Sequence, residues 1–140
     1  SFESVIIPEI IKTSIVDKTS NPDAMLDPEQ IMHVTTNLIK NAVDAMQGGG
    51  ELIVTLEDTL SDVSITIKDT GSGIREEDRV KIFEPFYTTK GIGKGTGLGL
   101  ATAYGIVKMH KGQISVESND DPGTGPTGTS FKIVLPRRKE

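Results

Sequence analysis

Two strongly patterned helices, each followed by a pair of short strands, constrain the fold of this chain most. The first helix is predicted to begin at Asp27, an N-cap, with Pro28 at the first helical position. Apolar residues continue at helical spacing, and the glycines at 48–50 are expected to stop this helix. The second helix is predicted over residues 98–109, directly after a glycine-rich loop.

Four strands are predicted after these helices. Residues 52–56 and 63–67 are joined by a short polar link, so they are expected to form a hairpin. Residues 113–117 and 130–135 are expected to form two more strands, joined by a mobile polar turn at 119–128. The sequence thus predicts an α/β (α+β) two-layer sandwich, with a mixed, mainly antiparallel sheet covered on one face by helices.

The rest of the chain is less regular. A first strand is predicted at about residues 13–17, a short helix at 76–83 and a long loop at 84–96. The predicted organisation is an N-terminal segment with linker and first strand at 1–26, one domain at 27–136 and a C-terminal tail at 137–140.

Composition argues against several classes of function. The net charge of −5 disfavours non-specific binding to nucleic acid or to an anionic membrane. The chain has no cysteine, so it forms no disulfide and no thiolate metal site. No apolar run approaches the roughly 20 residues that span a bilayer. We expect a cytoplasmic domain that is attached to a membrane, if at all, only through regions outside this chain.

The glycine-rich loop opens directly into the second helix, whose N-terminus presents unpaired N–H groups and a positive partial charge. Phosphate is the natural ligand of such an arrangement. Two better-known glycine signatures do not fit, because Lys94 is followed by Gly95 and the sixth position from Gly95 is Leu100. The alternative interpretation is a flexible surface loop.

Two further polar features point in the same direction. Asn37, Asn41 and Asp44 share one face of the first helix, and amide oxygens suit Mg²⁺; the alternative is a solvated face. Asp69 follows a strand end and can accept a hydrogen bond from an exocyclic amine, as adenine offers. The glycines behind it leave room for a flat ligand, although a plain turn would look the same.

Together these segments resemble the ATP-binding domain of the gyrase, Hsp90, histidine kinase and MutL superfamily, with its Bergerat-type fold and long ATP lid. Within it, the chain resembles a sensor histidine kinase catalytic domain over roughly residues 27–136. The matching motifs are the N box Asn37-Leu-Ile-Lys-Asn-Ala-Val-Asp-Ala-Met46, the G1 box Asp69-Thr-Gly-Ser-Gly-Ile74, the F box Ile82-Phe-Glu-Pro-Phe-Tyr-Thr-Thr-Lys90, the G2 box Gly95-Thr-Gly-Leu-Gly-Leu100, and Gly128-Thr129, Phe131 and Leu135-Pro136 in the last strand.

The resemblance implies roles for these residues. Asn41 is expected to bind Mg²⁺, with Asn37 at the metal or the phosphates, and these two are the expected catalytic residues. Asp69 is expected to accept from the adenine amino group, and Thr129 to reach adenine through a water shared with Asp69. A lid from about residue 75 to 96 is expected to order over the nucleotide. The expected ATP-binding set is Asn37, Lys40, Asn41, Asp44, Asp69, Gly71, Gly73, Ile74, Lys90, Gly95, Thr96, Gly97, Leu98, Gly99, Leu100 and Thr129.

Asp44 departs from the family pattern, since many relatives carry Lys or Arg near this position. An acidic side chain would repel phosphate unless it faces away or reaches Mg²⁺ through water. Lys40 or Lys90 is the alternative source of positive charge. Phe83 and Phe86 are expected to pack under the lid, against a partner helix or in the core.

Asn37 favours a kinase over a hydrolase. Relatives that hydrolyse ATP carry Glu four residues before the metal-binding Asn, where a carboxylate can activate water. An amide is no useful base, so this site suits an outside nucleophile such as a histidine imidazole. The sequence predicts the catalytic domain of a two-component sensor histidine kinase, a transferase. The alternatives are an ATP-hydrolysing conformational machine of the same superfamily and a non-catalytic nucleotide-binding module.

The histidine that accepts the phosphate is expected to lie outside this chain. His33 and His110 are its only histidines, and neither has the His-[Glu/Asp]-x-x-x-x-Pro setting of the family. His110 is expected to cap the end of the second helix, and His33 to be a surface or packing residue. The expected partners are the histidine-bearing dimerisation helices of the same protein and a response regulator receiver domain. The isolated domain is expected to be monomeric.

Overall fold

The computed structural model describes residues 7–8, 10–19, 28–84 and 99–136 of the 140-residue chain. The predicted helix start at Pro28 is confirmed, whereas the proposed N-cap Asp27 lies outside the described residues. The elements of the described residues are β1 (Ile11–Asp17), α1 (Pro28–Asp44), β2 (Gly50–Asp58), β3 (Asp62–Asp69), α2 (Glu76–Arg79), α3 (Gly99–Met109), β4 (Gln113–Asn119) and β5 (Gly128–Pro136).

The strands form one sheet in the order β1-β2-β3-β5-β4. β1 pairs in parallel with β2, and the three other pairs are antiparallel. The predicted mixed, mainly antiparallel sheet is therefore confirmed, as is the hairpin of β2 and β3. The first strand, expected near residues 13–17, is present as β1.

The core lies between one face of this sheet and the helices α1 and α3. Alternate residues of β2, β3 and β5 are buried, because successive side chains of a strand point to opposite faces. On α1, the buried residues Val34, Leu38 and Ala42 follow the helical spacing. The predicted two-layer sandwich is confirmed. Among the described residues, no helix combines the length and the apolar character needed to cross a membrane.

Two helices end earlier than predicted. α1 ends at Asp44 rather than at the glycines, because hydrogen bonds beyond it tighten: the N–H of Met46 donates to the carbonyl of Val43, three residues back, at 3.0 Å. The glycines still turn the chain, and Gly49 has a φ of 102°. The helix predicted at 76–83 is also shorter in the structure, where α2 is followed by hydrogen bonds between residues that are three positions apart.

Candidate functional site

Three polar side chains lie abreast on neighbouring strands at one end of the sheet. Thr129 of β5 pairs with Asp69 of β3 on one side and with Ser118 of β4 on the other. Residues paired across strands share a face of the sheet. Asp69 and Thr129 are only 4% and 5% exposed, so this row lies on the inner face. Asp69, Thr129 and Ser118 thus form a polar end of a core that is otherwise mainly apolar.

The carboxylate of Asp69 is held by two backbone donors. Its Oδ1 accepts hydrogen bonds from the N–H of Gly71 at 2.9 Å and from the N–H of Thr129 at 3.2 Å. Burial raises the pKa of Asp69, and the two N–H groups oppose this rise because they favour the ionised form. No described residue donates a hydrogen bond to the second oxygen, Oδ2. Asp69 is thus a fixed acceptor with one oxygen left for a ligand.

Ser118 is absent from the sequence-based site, yet it contacts two residues of that site, Ile74 and Thr129, and the neighbouring Gly128. Its Oγ accepts from the N–H of Ile74 at 2.8 Å, donates to the carbonyl of Gly128 at 2.9 Å and lies 2.8 Å from Oγ1 of Thr129. The sequence does carry a signal for it: Ser118 follows two apolar inward positions of β4 and breaks their pattern. A polar residue at such a position is a candidate for a site at the strand end.

The two glycines of the G1 box pack against the protein's own backbone. A Cβ built on Gly71 would lie 2.4 Å from the carbonyl oxygen of Ala45, at the end of α1. A Cβ built on Gly73, whose φ is 81°, would lie 2.2 Å from the carbonyl oxygen of Asn119. Both positions therefore need glycine for packing of the chain itself. Room for an adenine base, the reason given from the sequence, stays a prediction.

The loop that carries these glycines is tied to the turn between β4 and β5. Arg79 of α2 donates from Nε to the carbonyl of Ile74 at 3.0 Å, and its Nη2 lies 4.0 Å from Asp120. The turn at 119–128 is held by Asn119, whose Nδ2 lies 3.1–3.2 Å from three carbonyl oxygens. These bonds fix the position of the loop relative to the row of Asp69, Thr129 and Ser118.

The polar face of α1 meets the start of α3. Asn37 donates from Nδ2 to the carbonyl of Gly99 at 3.3 Å, which directs its amide nitrogen to α3. Its Oδ1 accepts no hydrogen bond from the described residues. A Cβ on Gly99 would come no closer than 3.9 Å to a described atom, the amide of Asn37. Unlike the G1 glycines, Gly99 is therefore not required by contacts within the described chain.

The helix α1 sets the spacing between the two ends of the site. Ala45, which follows the last residue of α1, touches Gly71 at one end, and its N–H donates to the carbonyl of Asn41 at 3.1 Å. At 1.5 Å rise per residue, Asn41 lies about 6 Å and Asn37 about 12 Å back along the axis. The side-chain nitrogen of Asn41 is buried. The G1 loop thus packs against the C-terminal end of α1, whereas Asn41 and Asn37 lie about one and two turns earlier on the same helix.

The remaining predicted site residues fall into three groups. Lys40 and Asp44 are exposed on α1, and their roles at the phosphates stay predictions. Leu100 packs partly buried against the core, next to Gly99. Five predicted site residues lie outside the described residues: Lys90, Gly95, Thr96, Gly97 and Leu98.

The described part of the expected lid, residues 75–84, is anchored in the protein. Ile82 is buried, and Phe83 packs its ring against Tyr104 and Phe131 with centroids 5.2 and 6.3 Å apart. Phe83 thus has the core packing that was one of its three expected roles, whereas Phe86 lies outside the described residues.

The predicted cap is confirmed at His110, whose Nδ1 lies 2.8 Å from the carbonyl oxygen of Ile106.

Comparison with known proteins agrees with this geometry. Residues 26–139 match the family described as histidine kinase-, DNA gyrase B-, and HSP90-like ATPase. The chain is 41% identical to sporulation kinase E of Bacillus subtilis over 119 residues, which is 84% of this chain. It spans only 15% of the length of that kinase.

Two solved structures share the fold. The mycobacterial sensor histidine kinase MprB superposes with a TM-score of 0.76 at 28% identity, covering 94% of this chain and 85% of the other. The catalytic domain of the histidine kinase ThkA gives a TM-score of 0.74 at 32% identity, covering 91% and 81%.

Proposed function

We propose that this chain, which belongs to the family of histidine kinase-, DNA gyrase B- and HSP90-like ATPases, is the ATP-binding catalytic domain of a two-component sensor histidine kinase. It binds Mg·ATP and presents the γ-phosphate to a histidine on helices outside this chain. The observation that carries the proposal is the buried Asp69, held by two N–H groups with Oδ2 left for a ligand.

The base of the nucleotide binds at the row of Asp69, Thr129 and Ser118. A buried carboxylate accepts strongly from the adenine amino group, since charge-assisted hydrogen bonds are roughly twice as strong as neutral ones. Thr129 lies beside Asp69 in the sheet register and reaches the base directly or through a shared water. The Gly71 and Gly73 loop, with Ile74, closes the site beside the base.

The phosphates bind at the start of α3, where helix N–H groups favour an anion. Gly99 lies there, and its contacts with described residues leave room for a side chain. We assign the phosphate contacts to the backbone of residues 95–100, with Thr96 among them. Lys40 or Lys90 supplies positive charge, whereas Asp44, which is exposed on α1, supplies none.

Asn41 and Asn37 would hold Mg²⁺ with the phosphates. In the described part of the chain no three His, Cys, Asp or Glu side chains are placed to hold a metal ion. Amide oxygens fit this role, since Mg²⁺ takes one or two protein ligands beside substrate phosphates and water. The Oδ1 of Asn37 is free for it, because Nδ2 is the atom that binds Gly99. Bound Mg²⁺ neutralises charge on the phosphates during transfer.

Asn37 also directs the chemistry away from water. Its amide is fixed against α3 and has no basic lone pair that could deprotonate water. A neutral imidazole needs no such base: its nitrogen attacks the γ-phosphorus, the bond to the bridging oxygen breaks, and ADP leaves. A hydrolase of the same fold is therefore the less favoured function, and a non-catalytic nucleotide-binding module has no observation in its favour.

The acceptor histidine comes from outside this chain. His110 is occupied at the end of α3, and the exposed His33 lies one turn before Asn37 on a rigid helix. The proposed partners are the dimerisation helices of the same protein and a response regulator receiver domain. We place the domain on the cytoplasmic side, where ATP is found, and propose that it is monomeric in isolation.

Calorimetry with a non-hydrolysable ATP analogue tests this proposal. We expect the parent chain to bind more tightly with Mg²⁺ than without it. Asn41→Ala should lose that difference, and Asp69→Asn should lose its preference for adenine. Phosphotransfer to a separately supplied histidine-bearing helical domain then tests the kinase step. A parent chain that binds no nucleotide would refute the site, and one that releases phosphate to water faster than to histidine would refute the kinase assignment.

A further inference from the structure

The hydroxyl of Ser118 has one hydrogen and three hydrogen-bonding neighbours. The N–H of Ile74 can only donate, and the carbonyl of Gly128 can only accept. The third neighbour, the hydroxyl of Thr129 at 2.8 Å, can do either. The direction of this third bond decides what Thr129 offers to a ligand.

Counting hydrogens fixes that direction. If Ser118 donates to Gly128, the hydrogen between the two hydroxyls must come from Thr129, and all three contacts are satisfied. If Ser118 donated to Thr129 instead, its Oγ and the oxygen of Gly128 would lie 2.9 Å apart with no hydrogen between them. Two partly buried oxygens held this close without a hydrogen between them repel each other and lose a hydrogen bond, so the first arrangement is the stable one.

Thr129 therefore donates its hydroxyl hydrogen to Ser118, and it can only accept hydrogen bonds from other groups. Its neighbour Asp69, when ionised, is also purely an acceptor. The two residues stand side by side in the sheet register and are almost fully buried, so bulk water does not randomise their bonds. A single water that donated to both Asp69 and Thr129 would use both of its hydrogens, so it would also offer a ligand only lone pairs. This end of the site is thus built entirely of acceptors.

We propose that Ser118 is a positioning residue that sets purine selectivity, by holding the Thr129 hydroxyl as an acceptor facing the exocyclic group of the base. The inference rests on the proposed nucleotide function and extends it to a residue outside the sequence motifs. Acceptors that face the exocyclic group match an amino group at position 6 and disfavour a carbonyl there, as buried polar sites reject mismatched partners. Without Ser118, the hydroxyl of Thr129 is released to donate to such a carbonyl.

The test compares ATP with inosine triphosphate, which carries a carbonyl in place of the amino group and a hydrogen on N1; because N1 is the same in every variant, a change of the ratio with the residue at 118 reports on the exocyclic group. Dissociation constants of both Mg²⁺ salts are measured by calorimetry on the 140-residue chain. Ser118→Ala should lower the preference for ATP about fivefold, the factor expected for one neutral hydrogen bond. Ser118→Thr keeps the hydroxyl and should restore the parent ratio. Ser115→Ala, on the outward face of the same strand, is the matched control and should leave the ratio unchanged.

The ratio separates selectivity from stability. A purely structural loss would weaken both nucleotides by the same factor, so an unchanged ratio in Ser118→Ala overturns the inference while leaving ATP binding intact. A parent chain that binds neither nucleotide overturns the proposed function and this inference with it. If Ser118→Ala does not fold, Ser118→Cys takes its place, because a thiol keeps the shape and makes weaker hydrogen bonds. The same fall is then expected, and its absence overturns the inference.

Discussion

Gly73→Ala tests whether the G1 loop is shaped by contact with its own chain. Gly73 has a φ of 81°, and a Cβ there would lie 2.2 Å from the carbonyl oxygen of Asn119 and 2.7 Å from its carbonyl carbon. These are backbone atoms in a turn fixed by side-chain hydrogen bonds, so they cannot rotate out of the way. Relief of the contact requires movement of the whole loop or the whole turn.

Two costs add in this variant. A non-glycine residue in the left-handed region costs roughly 1–2 kcal/mol, and a forced contact in a packed region costs about 1–3 kcal/mol more. We expect Gly73→Ala to lower the free energy of unfolding by about 3 kcal/mol, a large part of the roughly 5–15 kcal/mol of a typical domain. ATP binding should weaken as well, because the loop lies beside Asp69.

Urea unfolding measures this loss, with Gly105→Ala as the matched control. Gly105 lies inside α3, is exposed and has nothing within 4 Å of its built Cβ. Alanine there should raise the free energy of unfolding by roughly 0.5–1 kcal/mol, since glycine is a poor helix former. Glycine-to-alanine substitution is thus expected to lower the free energy of unfolding at position 73 and to raise it at position 105. A loss below about 1 kcal/mol in Gly73→Ala would refute the packing explanation.

Three further changes have expected outcomes. Burial raises the pKa of Asp69, so the folded protein keeps this proton to a higher pH than the unfolded chain does. The stability of the fold therefore falls as the pH rises from the unfolded-state pKa of Asp69 through its folded-state pKa. Asp69→Asn should therefore be more stable than the parent at neutral pH, and urea unfolding should show the gain vanish below the ordinary pKa of 3.8. Leu38→Ala should cost about 3 kcal/mol in the same assay, as Leu38 is fully buried, whereas the fully exposed Leu60→Ala should change stability by less than about 0.5 kcal/mol. Asn119→Ala should lower the melting temperature and weaken ATP binding together, since Asn119 holds the turn on which the G1 loop rests.

The sequence predicted the regular elements wherever the apolar period was visible. Each of the helices α1 and α3 buries one stripe of residues. Buried and less buried residues alternate along β2, β3 and β5, so the pattern of each element indicates a single buried face. β1 could be placed only approximately, because Ile15 and Val16 are 57% and 36% exposed and hide the alternation of the strand. As an edge strand with one partner, β1 is defined by its parallel pairing with β2 rather than by burial. The domain boundary at residue 27 stays a proposal, although β1 belongs to the same sheet.

The site could be predicted only as far as local motifs reach. The roles proposed for Asn37, Asn41 and Asp69 follow from chemistry that each segment carries by itself. The packing role of Gly71 could not be seen, because its neighbour Ala45 is distant in sequence and is brought near by the return of the chain. Ser118 was missed for a similar reason: its importance depends on the strand register that sets it beside Thr129.

In the proposed site, the helix α1 fixes the distance between the base-binding end and the metal-binding end. The G1 loop rests on the carbonyl of Ala45, whereas the amides of Asn41 and Asn37 lie one and two turns back toward α3. A packed helix transmits little deformation between such positions, because its backbone hydrogen bonds hold the 1.5 Å rise per residue. A change that alters base recognition, at Asp69 or Ser118, thus leaves the amide pair where it is. If the proposed function holds, we therefore expect base selectivity and Mg²⁺ dependence to be separable, so that a variant can lose either one and keep the other.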